Sequence, residues 1–310
     1  MRILILGAGG IGGYFGARLQ QAGADITFLV RPARAEHLRE HRLRVWSPFG
    51  DLQLTPDLLT AVDSPFDLVL LSCKAYDLTS ALDAIAPAVG PQTVVLPLLN
   101  GIAHLDLLDA RFGRERVAGG VAHLALTLDE SGGIRHLNAS QRLIIGARHA
   151  AQSAAIEALG AVLSGISPDY SVSADIEQDM WDKLVFIATL AGATCLMRAS
   201  IGDILDTRAG RALIEGMLEE GAAVATACGR APAAQRMTGY RAQLTEAGST
   251  LTASMLRDVL RGARTEADHI LGDLCRRADA QSVSVPKLDL ACSHLQAYEA
   301  TRARLSESSG

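Results

Sequence analysis

Residues 1–16, MRILILGAGGIGGYFG, decide how the rest of the chain is read. Arg2 to Leu6 form an apolar, β-branched run of strand length. The run stops at Gly7-Ala8-Gly9-Gly10-Ile11-Gly12, which fits G-x-G-x-x-G, and a helical pattern then continues to about Ala22. Strand, glycine turn and helix in that order point to a dinucleotide-binding unit. Gly7 permits the tight turn, Gly9 has no side chain to hold a pyrophosphate off the backbone, and Gly12 lets the helix pack closely on the strand. The helix start offers free N–H groups and a positive dipole end to phosphate.

The 310 residues suggest two domains, with a single domain also open on length alone, and 49% hydrophobic residues supply a large core. A net charge of −5 with both signs mixed argues against a nucleic-acid footprint, and 4% aromatic content argues against base-stacking platforms. The cysteines Cys73, Cys195, Cys228, Cys275 and Cys292 are odd in number and form no C-x-x-C, so they read as reduced thiols. The first residues lack the length and cleavage site of a signal peptide. The apolar stretch Leu184 to Met197 is short for a bilayer span. A soluble cytoplasmic protein is the expectation.

Asp25 to Val30 reads as the second strand, followed at once by Arg31, with Arg34 close behind. No acid ends this strand to take a ribose hydroxyl, and an arginine there suits a 2′-phosphate. The coenzyme expected is therefore NADP(H); a solvated surface arginine is the plainer alternative. Arg44 to Leu54, broken by Pro48 and Gly50, reads as a β excursion. Asp67 to Cys73 is a strand buried on both faces, delivering Lys74 at its carboxyl end, where ligands of open α/β sheets bind, though a surface lysine after a strand is common. Thr93 to Leu99 is a further strand and ends at Asn100-Gly101, either a ligand contact or a turn. Val117 to Leu128, Ile134 to His136 and Leu143 to Ile145 read as strands, and Ala150 to Leu163 as a helix broken by Ser167-Pro168-Asp169.

Beyond this point only helical periods remain, which places the boundary near Ser173: residues 1–172 as the dinucleotide-binding domain and 173–310 as a helical domain. Asp175 to Arg198 is a long apolar helix bearing Lys183, unexpected there unless it snorkels or faces a ligand. Asp206 is placed to cap a helix ending near Gly229. Further helical patterns run to Leu244, from about Thr250 to Leu260 and from about Arg264 to Ala280, and Pro286 suits the first turn of a last helix. The tail from Leu305 to Gly310 is expected to fray. There is no H-E-x-x-H, no G-x-S-x-G and no metal-spaced His/Cys cluster, so no metal is expected. A dinucleotide domain joined to a helical domain with a lysine favours hydride transfer.

GAGGIGGYFGARL, Arg31 after the second strand, SCKAYD at Lys74, LNG at Asn100, W-D-K-L at Lys183, S-M-L-R-D at Ser254 and R-T-E-A-D-H-I at Glu266 together resemble the ketopantoate reductase (2-dehydropantoate 2-reductase) family. The resemblance spans the whole chain. It implies an α/β fold: an N-terminal Rossmann-type parallel sheet domain, then an all-helical domain like the C-terminal part of 6-phosphogluconate dehydrogenase. It further implies an active site in the cleft between them. Lys183 would protonate the carbonyl oxygen as NADPH delivers hydride to a 2-oxo carbon. Asn100 would contact cofactor and substrate, Ser254 the substrate carboxylate, Glu266 the nicotinamide end and the lysine, and Lys74 the cofactor. Helix capping or surface charge explains Ser254 and Glu266 equally well from the residues alone.

The chain departs from that family at three positions. Where the family carries asparagines after the lysine and before a Gly-acid pair, this chain has Ile187, Ala191 and Ile201. On a helix, Ile187 and Ala191 share the face of Lys183. The expectation is a substrate-binding wall that is apolar, and a preference for 2-oxo acids without a distal hydroxyl. Two alternatives stay open: true ketopantoate reduction in pantothenate synthesis, and a non-catalytic NADP-binding regulator, which would need neither Lys183 nor Glu266. The partner expected is a small-molecule 2-oxo acid, with no nucleic acid and no membrane. Nothing in the residues fixes the oligomeric state, and a homodimer stays open.

Overall fold

The structure, a computed structural model, describes residues 1–167 and 169–307. Pro168 and the end of the tail, residues 308–310, lie outside the described residues; the helix expected to break at Ser167-Pro168-Asp169 does end at Ile166, with Ser167 as its C-cap. The chain forms two compact units, Met1–Asn100 with His104–Asp179, and Gly101–Ala103 with Met180–Gly310.

The first unit alternates strands and helices: β1 (Arg2–Leu6), α1 (Gly10–Gln21), β2 (Asp25–Leu29), α2 (Pro32–His41), β3 (Leu43–Trp46), β4 (Leu52–Leu54), β5 (Asp57–Leu59), β6 (Leu68–Leu71), α3 (Leu78–Ile85), β7 (Val94–Pro97) and α4 (Ala103–Phe112). It then adds β8 (Gly119–His123), β9 (Leu126–Leu128), β10 (Ile134–His136), β11 (Arg142–Gly146), α5 (Ser153–Ile166) and β12 (Tyr170–Val172). The main sheet has the order β5-β2-β1-β6-β7 and every pairing in it is parallel. Counted along the chain, its strands lie 3-2-1-4-5, the doubly wound order of dinucleotide-binding domains. The central strands carry unbroken apolar runs because both faces are covered; all four residues of β6 and of β7 are buried.

Two smaller sheets complete this unit, β4-β3-β10-β9 and β12-β11-β8. The expected excursion at 44–54 is the antiparallel pair β3–β4. The expected single strand Val117 to Leu128 is corrected to two strands in different sheets. The chain breaks between them because Ala125 N–H donates to Asn138 Oδ1 at 3.0 Å while its carbonyl accepts from Leu137 at 2.8 Å. Those bonds turn the backbone out of the β8 ladder and start the β9–β10 pairing.

The second unit is helical: α6 (Ile176–Met197, its first residues in the other unit), α7 (Ile201–Leu205), α8 (Gly210–Ala227), α9 (Ala234–Leu244), α10 (Ser254–Leu260), a π-helical turn at Asp268–Gly272, α11 (Asp273–Ala280) and α12 (Pro286–Glu307). At 22 residues, α6 is long and apolar enough to cross a membrane, with mean hydropathy 1.4 over its most apolar window. Yet 72% of that window is buried within the protein, as in a core helix. Two of its buried hydroxyls are satisfied within the helix: those of Thr189 and Thr194 donate to the carbonyls of Val185 and Leu190 at 2.9 and 2.6 Å.

Asp206 does not cap the long helix. A reciprocal Ser200–Asp203 capping box starts the separate short helix α7, and Asp206 ends it. The chain then passes so close to α7 that a Cβ at Gly210 would lie 1.7 Å from the Ile204 carbonyl oxygen; α8 begins at that glycine. Pro286 does open the last helix, and the carboxylate of Glu220 caps it, accepting from the N–H groups of Lys287 and Leu288 at 3.0 and 2.9 Å. Residues 305–307 continue α12 rather than fraying. The pattern expected from Arg264 becomes helical only near Ala267. Ahead of it, Glu299 on α12 accepts from both the N–H and the hydroxyl of Thr265, at 2.6 and 2.7 Å, and ties down the irregular approach.

Candidate functional site

The glycine turn sits at the carboxyl end of β1, the central strand of the main sheet. Gly7 has φ +90°, in the left-handed region, and its N–H donates to the Leu29 carbonyl at 2.9 Å, so the turn is tied to the end of β2. A Cβ at Gly12 would lie 2.2 Å from Ser72 Oγ and 2.4 Å from the Gly7 carbonyl oxygen, which is the close helix–strand approach expected of it. Ser72 holds the other side by donating to the Leu6 carbonyl at 2.9 Å. A Cβ at Gly9 would meet nothing within 4 Å. Gly9 is also the N-cap of α1, and no side chain caps that helix. Open space in front of uncapped helix N–H groups fits a phosphate, and Ala8, Gly10 and Ile11 belong to the same turn. Over Gly10 stands Leu126, 3.1 Å from where a Cβ would be.

Arg31 is the N-cap residue of α2, with its side chain 79% exposed and Nη2 at 3.2 Å from Oδ2 of Asp77. The placement suits an incoming phosphate. The sequence suggests Arg34 as a second cation for the same group, and the structure corrects this. Its Nη2 donates to the carbonyls of Ala8 and Gly132, both at 2.9 Å, with the guanidinium half-buried. Arg34 thereby ties the glycine turn to the Asp129–Gly133 turn. Lys74 is exposed and is the N-cap of a short turn, Ala75–Asp77, after β6. Asn100 lies three residues beyond β7 and is partly exposed. Gly101, at φ +81°, makes the Asn-Gly step a turn as well.

In the helical unit the structure brings Lys183 and Glu266 together. Lys183 lies on α6 and keeps partial exposure, while Glu266 is buried just ahead of the π-helical turn. Burial pushes the Lys183 ammonium down to about 8, and the Glu266 carboxylate pulls in the opposite direction. His269, one turn on, is lowered by burial against the same carboxylate. The sequence pattern does not single out His269. It packs under Gly101, where a Cβ would lie 3.2 Å from its Cδ2, and only that absent side chain could have signalled the approach.

Ser254 is exposed at the first position of α10, whose N-cap is Ala253, so helix capping does not account for it. Of the residues expected to form an apolar wall, Ile187 is partly exposed one turn beyond Lys183. Ala191 and Ile201 are not presented in this way. Ala191 is 3% exposed, and Ile201 is fully buried where its N–H donates to the Leu251 carbonyl at 3.0 Å. The capping box and that backbone bond turn Ile201 inward.

Comparison with known proteins agrees along the whole chain. The family model described as Ketopantoate reductase PanE/ApbA matches residues 3–150, and that described as Ketopantoate reductase PanE/ApbA C terminal matches residues 175–299. The uncharacterized oxidoreductase YkpB of Bacillus subtilis is 37% identical over 304 residues, covering 97% of this chain and 100% of that protein. The crystal structure of 2-dehydropantoate 2-reductase from Geobacter metallireducens superposes with a TM-score of 0.87 at 30% identity, covering 96% of this chain and 99% of that one. D-mandelate dehydrogenase, solved with NADH and anilino(oxo)acetate, shares the fold at the same TM-score with 23% identity, covering 98% and 100%.

Proposed function

The chain belongs to the ketopantoate reductase family of oxidoreductases, and from that premise we propose that it uses NADPH to reduce a 2-oxo acid to a 2-hydroxy acid. Lys183 carries this reading. An amine held down to about 8 by burial is still mostly an ammonium at neutral pH, yet gives up its proton readily. Bound NADPH supplies the hydride to C2. Lys183 donates its proton to the carbonyl oxygen and, as a cation, offsets the negative charge developing there. Glu266 keeps a carboxylate beside the amine and favours its charged form. Partial exposure of Lys183 lets water return the proton. Asn100 and Ser254 are assigned to hold the substrate, Ser254 through its carboxylate.

The glycine turn is assigned to the pyrophosphate, Lys74 and Arg31 to the coenzyme, and Arg31 specifically to the 2′-phosphate. The NADH in D-mandelate dehydrogenase belongs to a protein that shares only the fold at this level of identity, so it does not bear on the choice here. The five free thiols support a reducing compartment, and we place the protein in the cytoplasm.

For the substrate we propose an apolar side chain without a distal hydroxyl. Ile187 is apolar and partly exposed one turn beyond Lys183, where the family resemblance implies an asparagine, and a desolvated hydroxyl without a partner binds poorly. Apolar pockets discriminate weakly against an added hydroxyl, so ketopantoate is expected to react slowly rather than not at all. The test is kcat/KM for ketopantoate beside 2-oxo-3,3-dimethylbutanoate. The deoxy compound is expected to be the better substrate. A preference for ketopantoate of about tenfold or more would overturn this reading and assign the protein to pantothenate synthesis.

A further inference from the structure

The pair Arg31–Asp77 joins two loops that rise from opposite flanks of β1. Arg31 follows β2, and Asp77 ends the short turn after β6, with β1 between those strands in the sheet. The glycine turn opens from the end of that same central strand. Asp77 is also the N-cap of α3, where an aspartate usually accepts a hydrogen bond from the second or third helical N–H. It makes no such bond here. Its carboxylate, 38% exposed, lies 3.2 Å from the Arg31 guanidinium instead. A local bond has been forgone for an ion pair that, at this exposure, contributes little stability.

We infer that Asp77 is a specificity-determining residue for the coenzyme: it restrains the preference for NADPH and lets the protein also take NADH. The inference rests on the reading that Arg31 meets the 2′ position. A 2′-phosphate arriving at Arg31 finds the guanidinium already paired and a carboxylate beside it, so like charge opposes its binding. A ribose 2′-hydroxyl meets the reverse situation, because a carboxylate accepts its hydrogen bond, the role an acid at the end of β2 takes in NAD-binding folds. In this chain β2 is followed by arginine, and the acid arrives from the loop after β6.

The experiment measures Kd for NADPH and for NADH by fluorescence titration, with the wild-type chain, Asp77→Asn and Arg31→Ala. Asp77→Ser, which removes the carboxylate but keeps an N-cap residue, controls for helix stability. Both Asp77 variants are expected to tighten NADPH by about 5-fold and to weaken NADH by a similar factor, the upper end for an exposed charge pair. Arg31→Ala is expected to weaken NADPH far more than NADH. Asp77 variants that shift both coenzymes equally, or neither, overturn the assignment of Asp77 alone. Equal weakening by Arg31→Ala overturns the 2′-phosphate reading beneath it, and a wild-type chain that binds neither coenzyme overturns the coenzyme site itself.

Discussion

Lys183→Ala is expected to lower kcat for reduction by roughly 10²–10⁴, the usual loss when a positioned general acid is removed. Coenzyme Kd should stay within about twofold, because the coenzyme is assigned to other residues. The wild-type pH profile carries the same signature. Burial lowers the Lys183 ammonium to about 8, so the proton donor is present below that pH and lost above it. Reduction should therefore fall by about tenfold per pH unit in the alkaline limb, while oxidation of the 2-hydroxy acid, which needs the free amine as base, should rise through the same range. The alkaline limb of reduction should vanish in the alanine variant. A variant with full turnover would make Lys183 structural.

Gly9→Ala and Gly12→Ala are expected to fail in different ways, although the residues sit three apart in one motif. At Gly9 an added Cβ meets nothing within 4 Å, so the variant should fold and lose only the small N-cap advantage of glycine over alanine. The methyl group would occupy the space assigned to the pyrophosphate, and losing even one charge-assisted hydrogen bond there should weaken NADPH by about tenfold or more. At Gly12 the Cβ would press to 2.2 Å from Ser72 Oγ and 2.4 Å from a backbone oxygen that cannot move aside. That variant should lose roughly 1–3 kcal/mol of stability, as overpacked sites do. Thermal unfolding paired with coenzyme titration separates the two outcomes. Normal coenzyme affinity in Gly9→Ala would remove the turn from the binding site.

The two glycines also show what was legible in the chain. The parallel sheet and its glycine turn could be read because their causes are local: unbroken apolar runs for strands covered on both faces, and a spacing of glycines that only a tight, close-packed turn requires. The long helix with its lysine could be read for the same reason. What escaped had causes that periodicity does not carry, most of them long-range. The single strand expected from Val117 to Leu128 is cut by a side chain thirteen residues beyond Ala125, that of Asn138. Asp206 had the chemistry of a cap, but the approach of Gly210 to Ile204 placed the helix start elsewhere. Arg34 has a charge suited to phosphate, yet two carbonyls that are distant in sequence claim it. The helical period sets Ala191 two turns beyond Lys183, but periodicity cannot say that the helix is covered at that height.

Hydride transfer to a 2-oxo acid, with Lys183 supplying the proton, is tested most directly by NADPH oxidation. The wild-type protein is assayed across a panel of 2-oxo acids, with the product identified by mass and the same panel run on Lys183→Ala. The expected result is stoichiometric conversion of at least one apolar 2-oxo acid to its 2-hydroxy acid, falling by roughly 10²–10⁴ in the variant. Saturable NADPH binding with no oxidation against any member of the panel would contradict it.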